Sequence, residues 1–276
     1  MATDEQFRRF LNEDSPKIEG WFSRPDMLTF QLLDAVQRAL GRRGHLCEVG
    51  VWHGKSLVLL SHFAEANERC FGFDLFPDDI RDRAWANIQA YGRQDAVELV
   101  TGDTSGLSSP DLEARLGGGI RFLHIDAGHE YHEVLHQLLL FAPFVAPGGC
   151  IAMDDYQDRE FPGIEAATLD FAEIDRPRRF VPFFAGGNKM YLCEPAWAPE
   201  YQRRMLSIEP IASTSRVSRV RDFTVLVGFS KLPTGRAACL AEIERAAFPL
   251  RYEVDEQSLS GRAERFSQLR FAPFRT

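Results

Sequence analysis

The chain has 276 residues, and its 32 Lys and Arg against 40 Asp and Glu leave a formal charge of −8. A chain of this length buries a substantial core, and 45% hydrophobic with 26% charged residues is an ordinary globular composition. The acidity excludes a phosphate-backbone binder, which needs a basic footprint.

The basic clusters that exist, Arg176, Arg178 and Arg179, then Arg216, Arg219 and Arg221, read as solvated faces. The 22 Phe point to a large aromatic core or an apolar pocket. Cys47, Cys70, Cys150, Cys193 and Cys239 are odd in number and widely spaced, against a disulfide framework or a structural zinc site. The first residues are charged and lack the apolar stretch of a secretion signal. The best apolar run, from Leu138 to Pro147, is too short to cross a membrane. A cytoplasmic protein with no nucleic-acid or membrane partner is the expectation.

In chain order, apolar residues at helical spacing from Pro25 to Leu40 predict a helix closed by Gly41 and Gly44. His45 to Val51 is a short apolar run, as in a buried parallel strand. A helix over 55–67 follows, then a strand at Cys70–Asp74, a helix from Asp79 to Tyr91 and a strand at Val97–Val100. A strand at Ile120–Ile125, a helix from Tyr131 to Phe144, a strand at Cys150–Met153 and a helix from Glu165 to Glu173 complete the alternation. Two strands, Arg179–Phe184 and Lys189–Cys193, joined through Gly186 and Gly187, carry a hairpin signal. This pattern predicts a Rossmann-like, doubly wound seven-stranded α/β sheet with a terminal antiparallel hairpin. Residues 1–195 form that domain, with 1–44 as a helical cap. Residues 196–276 form an extension with a strand at Phe223–Phe229, a helix at Ala237–Ala247 and an arginine-rich end from Glu253 to Thr276. The extension packs on the sheet, covers the site or mediates assembly.

In such sheets ligands bind beyond the carboxyl ends of the strands. Those ends carry Glu48, Asp74, Asp103, Asp126 and Asp154. Between Glu48 and Ser56, Gly50 and Gly54 let a loop approach a ligand closely, and the following helix start suits an anion. The spacing matches neither the dinucleotide fingerprint nor the P-loop, which disfavours a nucleotide-dependent oxidoreductase. Glu48 and Asp103 read equally as loop or cap hydrogen-bonders, and Ser56 as a helix cap. Asp126, Asp154 and Asp155 follow two strands adjacent in this topology; converging there, they would repel unless a cation neutralised them. Hard oxygen donors without Cys suit Mg²⁺ or another hard divalent cation. Successive side chains of a strand face opposite ways, so both Asp154 and Asp155 point inward only if the chain turns between them. His129, three residues after Asp126, is a candidate base, since histidine titrates near neutrality, or else a capping or core residue. His132 and His136 are weaker candidates for a zinc site with it. Tyr156 and Lys189 lie near strand ends, as substrate contacts or as surface and hairpin residues. Trp21, Phe22 and Met27 line an apolar lid or the core.

The motifs Glu48-x-Gly50-x-x-x-Gly54-x-Ser56, Gly72-Phe-Asp74, Gly102-Asp-Thr104, Ile125-Asp-Ala-Gly-His129-x-Tyr131 and Pro147-Gly-Gly-x-Ile-x-x-Asp-Asp-Tyr156, in this order over residues 25–195, resemble a class I S-adenosylmethionine-dependent methyltransferase. Within that class they most resemble the metal-dependent O-methyltransferases that modify sugars of macrolide and aminocoumarin antibiotics. The resemblance implies that Glu48, Gly50, Gly54 and Ser56 hold the methionine part of S-adenosylmethionine, that Asp74 bonds the ribose, and that Asp103 and Thr104 lie by the adenine. It places Asp126 with both the cofactor and the metal, makes Asp154 and Asp155 the other metal ligands, and assigns His129 as the base. The implied substrate is a small molecule with a hydroxyl, a sugar or natural product first and a phenol or catechol second, and a homo-oligomer is expected. The competing expectation is an accessory protein that keeps the fold without methyl transfer.

Overall fold

The computed structural model describes residues 4–174 and 177–247. Arg176 and the arginine-rich end from Glu253 to Thr276 lie outside the described residues. The strands are β1 (His45–Val49), β2 (Cys70–Asp74), β3 (Val97–Thr101), β4 (Ile120–Ile125), β5 (Val145–Met153), β6 (Val181–Gly186), β7 (Lys189–Cys193), β8 (Arg216–Val220) and β9 (Phe223–Val227). The helices are α1 (Asp4–Arg9), α2 (Arg24–Ala39), α3 (Lys55–Phe63), α4 (Ile80–Tyr91), α5 (Ser109–Leu116), α6 (Tyr131–Phe141), α7 (Pro162–Ile174), α8 (Ala198–Met205), α9 (Ile211–Thr214) and α10 (Arg236–Ala247).

The nine strands of the described residues join one sheet in the order β3-β2-β1-β4-β5-β7-β6-β9-β8. β1 to β5 run parallel, and β7 is antiparallel to both β5 and β6. The seven expected strands are therefore present, with the expected hairpin. The sheet does not end there. β9 pairs in parallel with β6, and β8 folds back on β9. The described part of the extension is thus built into the sheet, and α8 ties it down: Gln202 Nε2 donates to the carbonyls of Phe183 (2.8 Å) and Thr224 (2.9 Å), and the Tyr201 hydroxyl donates to Gly148 O at 2.7 Å.

Alternation along the strands divides the core in two. One cluster joins Leu46 and Phe122 to α2, α3, α4, α8 and α10 through residues such as Phe30, Leu57, Ile88, Met205 and Ile243. The other joins Cys47, Val49, Leu123 and Ile125 to α5, α6 and α7 through Leu112, Leu138 and Ile164. All five cysteines are buried and free. Of the three apolar residues near the N-terminus, Phe22 and Met27 are buried, whereas Trp21 is 91% exposed.

α2 is positioned by its ends and by one buried ion network. The Ser23 hydroxyl caps its start, accepting from Asp26 N at 3.3 Å, with Pro25 in the first turn. Arg121 on β4 is 1% exposed. Its guanidinium meets Asp34 (2.9 Å) and Gln37 (2.9 Å) of α2, Glu68 (3.0 Å) and the carbonyl of Phe63 (2.9 Å). A buried, paired and hydrogen-bonded Arg fixes geometry more than it stabilises. Here it sets the height of α2, so that Phe30 lies over the carboxyl half of β4, edge-on to His124 at 5.0 Å between ring centroids.

Candidate active site

The sheet order reverses between β1 and β4, and the crevice beyond their carboxyl ends holds most of the expected residues. Gly50 leaves β1 with φ +88°, and a Cβ there would stand 1.9 Å from Asp126 O. Only glycine fits this crossing, which brings the β1 loop onto the β4 loop. Gly54, at φ +79°, starts α3, and Ser56 is buried in its first turn. Asp74, at the end of β2, braces the loop. Its Oδ2 accepts from the N–H groups of Val51 (2.7 Å) and Trp52 (2.9 Å), and its Oδ1 from Phe76 N (2.7 Å). One lone pair of Oδ1 stays uncommitted. Exposed Trp52 and Leu75 flank this carboxylate. Asp103 caps a short turn, accepting from Ser105 N at 2.8 Å, and that bond holds its carboxyl below the usual range. Thr104 beside it offers its carbonyl to His136 Nε2 at 3.5 Å.

Glu48 and His124 are opposite one another in the β1–β4 register, and both are completely buried. His124 Nδ1 meets Glu48 Oε1 at 2.7 Å, and its Nε2 faces Asp154 Oδ2 at 3.3 Å. Burial pushes this imidazole down, but hydrogen bonds to Asp154 and Glu48 outweigh it and raise the group to about 9. Lys189, the first residue of β7, is 2% exposed and ion-paired to the same Asp154 oxygen. Burial pushes the Asp154 carboxyl up; Lys189 and His124 overcome this and hold it far below the usual range. Asp126 behaves oppositely: burial and the neighbouring Asp154 charge push its carboxyl well up. Sequence reasoning missed His124, and it left Lys189 between a substrate contact and a hairpin surface.

The chain does turn between the paired acids. Asp155 adopts φ +51°, and its N–H donates to Asp154 Oδ1 at 2.7 Å. Asp154 therefore points into the crevice, and Asp155 points along its rim. Asp155 Oδ1 accepts from Asn188 Nδ2 at 2.6 Å, and Oδ2 stands 3.3 Å from His129 Nε2. The His129 ring stacks on Phe161 at 4.2 Å and is partly open to solvent. The expected set of Asp126, Asp154 and Asp155 is thus only partly assembled. Among the described residues, the group whose donor atoms come within 4.8 Å of one another is His124, Asp126 and Asp154. In it, Asp154 is already neutralised by two cations. His132 is exposed, and the three histidines 129, 132 and 136 do not form a metal-sized group among the described residues. No helix among the described residues is long and apolar enough to cross a membrane.

Comparison with known proteins bears on this crevice. Residues 47–156 match the family model described as a methyltransferase domain. That span runs from β1 through Asp154 and Asp155. The structure resembles an O-methyltransferase from Bacillus cereus in complex with SAH, at 17% identity and a TM-score of 0.51, over 70% of this chain and 91% of that one. It also resembles a putative O-methyltransferase from Klebsiella pneumoniae, with the same identity and TM-score, over 70% and 90%. CalS11, a TDP-rhamnose 3'-O-methyltransferase of calicheamicin biosynthesis, aligns at 18% identity and a TM-score of 0.48, over 68% of this chain and 92% of that one. No curated protein matches. The segment that builds the crevice between β1 and β4 thus resembles a methyltransferase domain, and the sheet around it has the Rossmann-like fold of these O-methyltransferase structures.

Proposed function

We propose that this protein transfers a methyl group from S-adenosylmethionine to a hydroxyl of a small molecule, a sugar or another natural product. The observation that carries the proposal is the crossing of the Gly50 loop over Asp126, with His129 and Asp155 at the open rim beside it. The cofactor fits the donors present. Glu48 Oε2 is buried without a hydrogen-bond partner, the start of α3 faces the loop, and carboxylates end β2 and β4. These suit a ligand that carries an ammonium, a carboxylate, ribose hydroxyls and a sulfonium. Gly50, Gly54 and Ser56 would hold its amino-acid part and Asp74 its ribose through the open lone pair. Asp103 and Thr104 would border its base, while Asp126 would face the reacting end.

When bound, that cofactor supplies an electrophilic methyl on sulfur. The remaining chemistry falls to the chain. With Asp155 at Nε2, the His129 proton sits on that nitrogen and Nδ1 keeps the lone pair. Nδ1 would take the proton of the acceptor hydroxyl as that oxygen gains the methyl and the carbon–sulfur bond breaks. Phe161 holds the ring plane, and Asp155 stabilises the imidazolium that results. Mg²⁺ is not part of this proposal, because Asp154 is spoken for by Lys189 and His124 and Asp155 faces His129.

Calorimetric titration with S-adenosylmethionine, and with NAD as the control, tests the cofactor. Binding of the first and not of the second is the expected result; no binding of S-adenosylmethionine ends the proposal. Release of S-adenosylhomocysteine across a panel of glycosides, phenols and catechols then identifies the acceptor class.

A further inference from the structure

We infer that Lys189 is the cation of this centre: its buried ammonium supplies, from within the chain, the positive charge that converging carboxylates at the ends of β4 and β5 require, and no divalent ion enters. The inference rests on the methyltransferase reading of the crevice and deepens it.

Asp126 and Asp154 converge, and carboxylates brought that close need a counter-charge. The structure answers with side chains. Lys189 enters from the first residue of β7, the antiparallel strand beside β5. It pairs with Asp154 Oδ2, the oxygen that also faces His124 Nε2. The ammonium is buried and ion-paired to Asp154. Its position is enforced from every side. Phe22 covers it, with the ammonium 5.7 Å from the ring centroid. Asp26 of α2 lies behind it, itself 2% exposed and with Oδ1 lacking a hydrogen-bond partner. Gly187, in the hairpin turn, allows Asp26 this close, since a Cβ there would stand 1.8 Å from Asp26 Oδ1. Lysine is a hydrated residue on a flexible stem, and it is seldom buried without a matching charge. Here it has Asp154 as its ion-pair partner and Phe22 over it.

A divalent ion meets three obstacles at this place. The inward oxygen of Asp154 is shared by two cations. Asp155, the second acid of the pair, points to His129 and Asn188. His124, the nitrogen donor of the cluster, has both ring nitrogens engaged, Nδ1 with Glu48 Oε1 at 2.7 Å and Nε2 with Asp154 Oδ2 at 3.3 Å. A metal would have to displace Lys189 from Asp154 and break a His124 contact in the same buried space. Lys189 acts through Asp154 and His124, which makes it a positioning residue of the centre.

The test uses Mn²⁺ as the probe, with the purified full-length chain freed of metal by chelation. Binding is read by electron paramagnetic resonance, and S-adenosylhomocysteine binding by calorimetry on the same samples. The wild type should bind the cofactor product and take up no Mn²⁺ up to about 1 mM, the weak end of oxygen-ligated sites. Lys189→Met should gain one Mn²⁺ per chain in that range, and Lys189→Arg, which keeps the charge, should gain none. The inference is overturned if the wild type binds one Mn²⁺ that Asp154→Asn abolishes. It is equally overturned if Lys189→Met keeps its melting temperature and product binding yet gains no Mn²⁺. Where Lys189→Met does not fold, the wild type and Lys189→Arg decide alone. Failure of S-adenosylhomocysteine to bind the wild type is a separate result: it removes the methyltransferase reading and, with it, the role assigned to Lys189 there.

Discussion

Raising the pH should loosen this fold through one buried histidine. In the unfolded chain His124 titrates near 6.5, and in the folded chain it holds its proton to about 9. A folded pKa above the unfolded one adds stability that is full below about 6.5 and is lost as pH climbs through about 9. The gap is worth about 3 kcal/mol, a large share of the 5–15 kcal/mol typical of a domain. Two neighbours must be kept apart from it. The Asp154 carboxyl, held low in the fold, adds stability above its unfolded value of 3.8 and loses it only in acid. Asp126, pushed up in the fold, costs stability as it is forced to ionise, starting from 3.8. The assay is urea unfolding at pH 6.5, 7.5, 8.5 and 9.5, for wild type and His124→Gln. The wild type should lose about 3 kcal/mol across this range. The variant, starting lower, should lose distinctly less. A wild-type stability flat from 6.5 to 9.5, or an equal slope in the variant, would refute the claim that a protonated imidazole bridges Glu48 and Asp154.

Three further outcomes follow from the geometry. Gly50→Ala should destabilise by at least about 3 kcal/mol, since it adds both a positive-φ penalty and a backbone collision with Asp126 O; thermal melting checks it. Asp74→Ala strands three loop N–H groups, each charge-assisted bond being worth about 1.5–3 kcal/mol, so calorimetry should show S-adenosylhomocysteine affinity falling at least about tenfold. His129→Ala should lower turnover by about 10² to 10⁴ while leaving cofactor affinity unchanged; an unaltered rate would remove His129 as the base.

Much of the fold was legible because parallel strands buried on both faces write themselves as short apolar runs. β1, β2, β4 and the β6–β7 hairpin fall within a residue or two of the runs that announced them. α5 went unread although Ser108, Pro110 and Asp111 spell its capping box, because its exposed face dilutes the apolar spacing. β8, Arg-Val-Ser-Arg-Val, was missed because it is a half-covered strand whose arginines read as a solvated patch. At the site, the acids at strand ends were visible, since the topology alone places them. His124 was not. A histidine inside a strand carries no spacing signal, and only the β1–β4 register reveals that Glu48 stands opposite it. Lys189 was hidden for the same reason: whether the first residue of a hairpin strand is buried depends on what α2 lays over it. The direction of Asp155 depended on one dihedral angle, which no pattern of residue types states.

The pairing of β9 with β6 also changes what the margin of this molecule is. In a seven-stranded sheet β6 would be an edge, with unpaired N–H and C=O groups open to another chain. Here both of its sides are taken, and among the described residues the sheet margin moves to β8. That strand is five residues long, and Arg219 on it is exposed. A short, cationic border repels a second copy of itself. Strand-to-strand growth on β6 at the hairpin end is closed off by the chain's own residues.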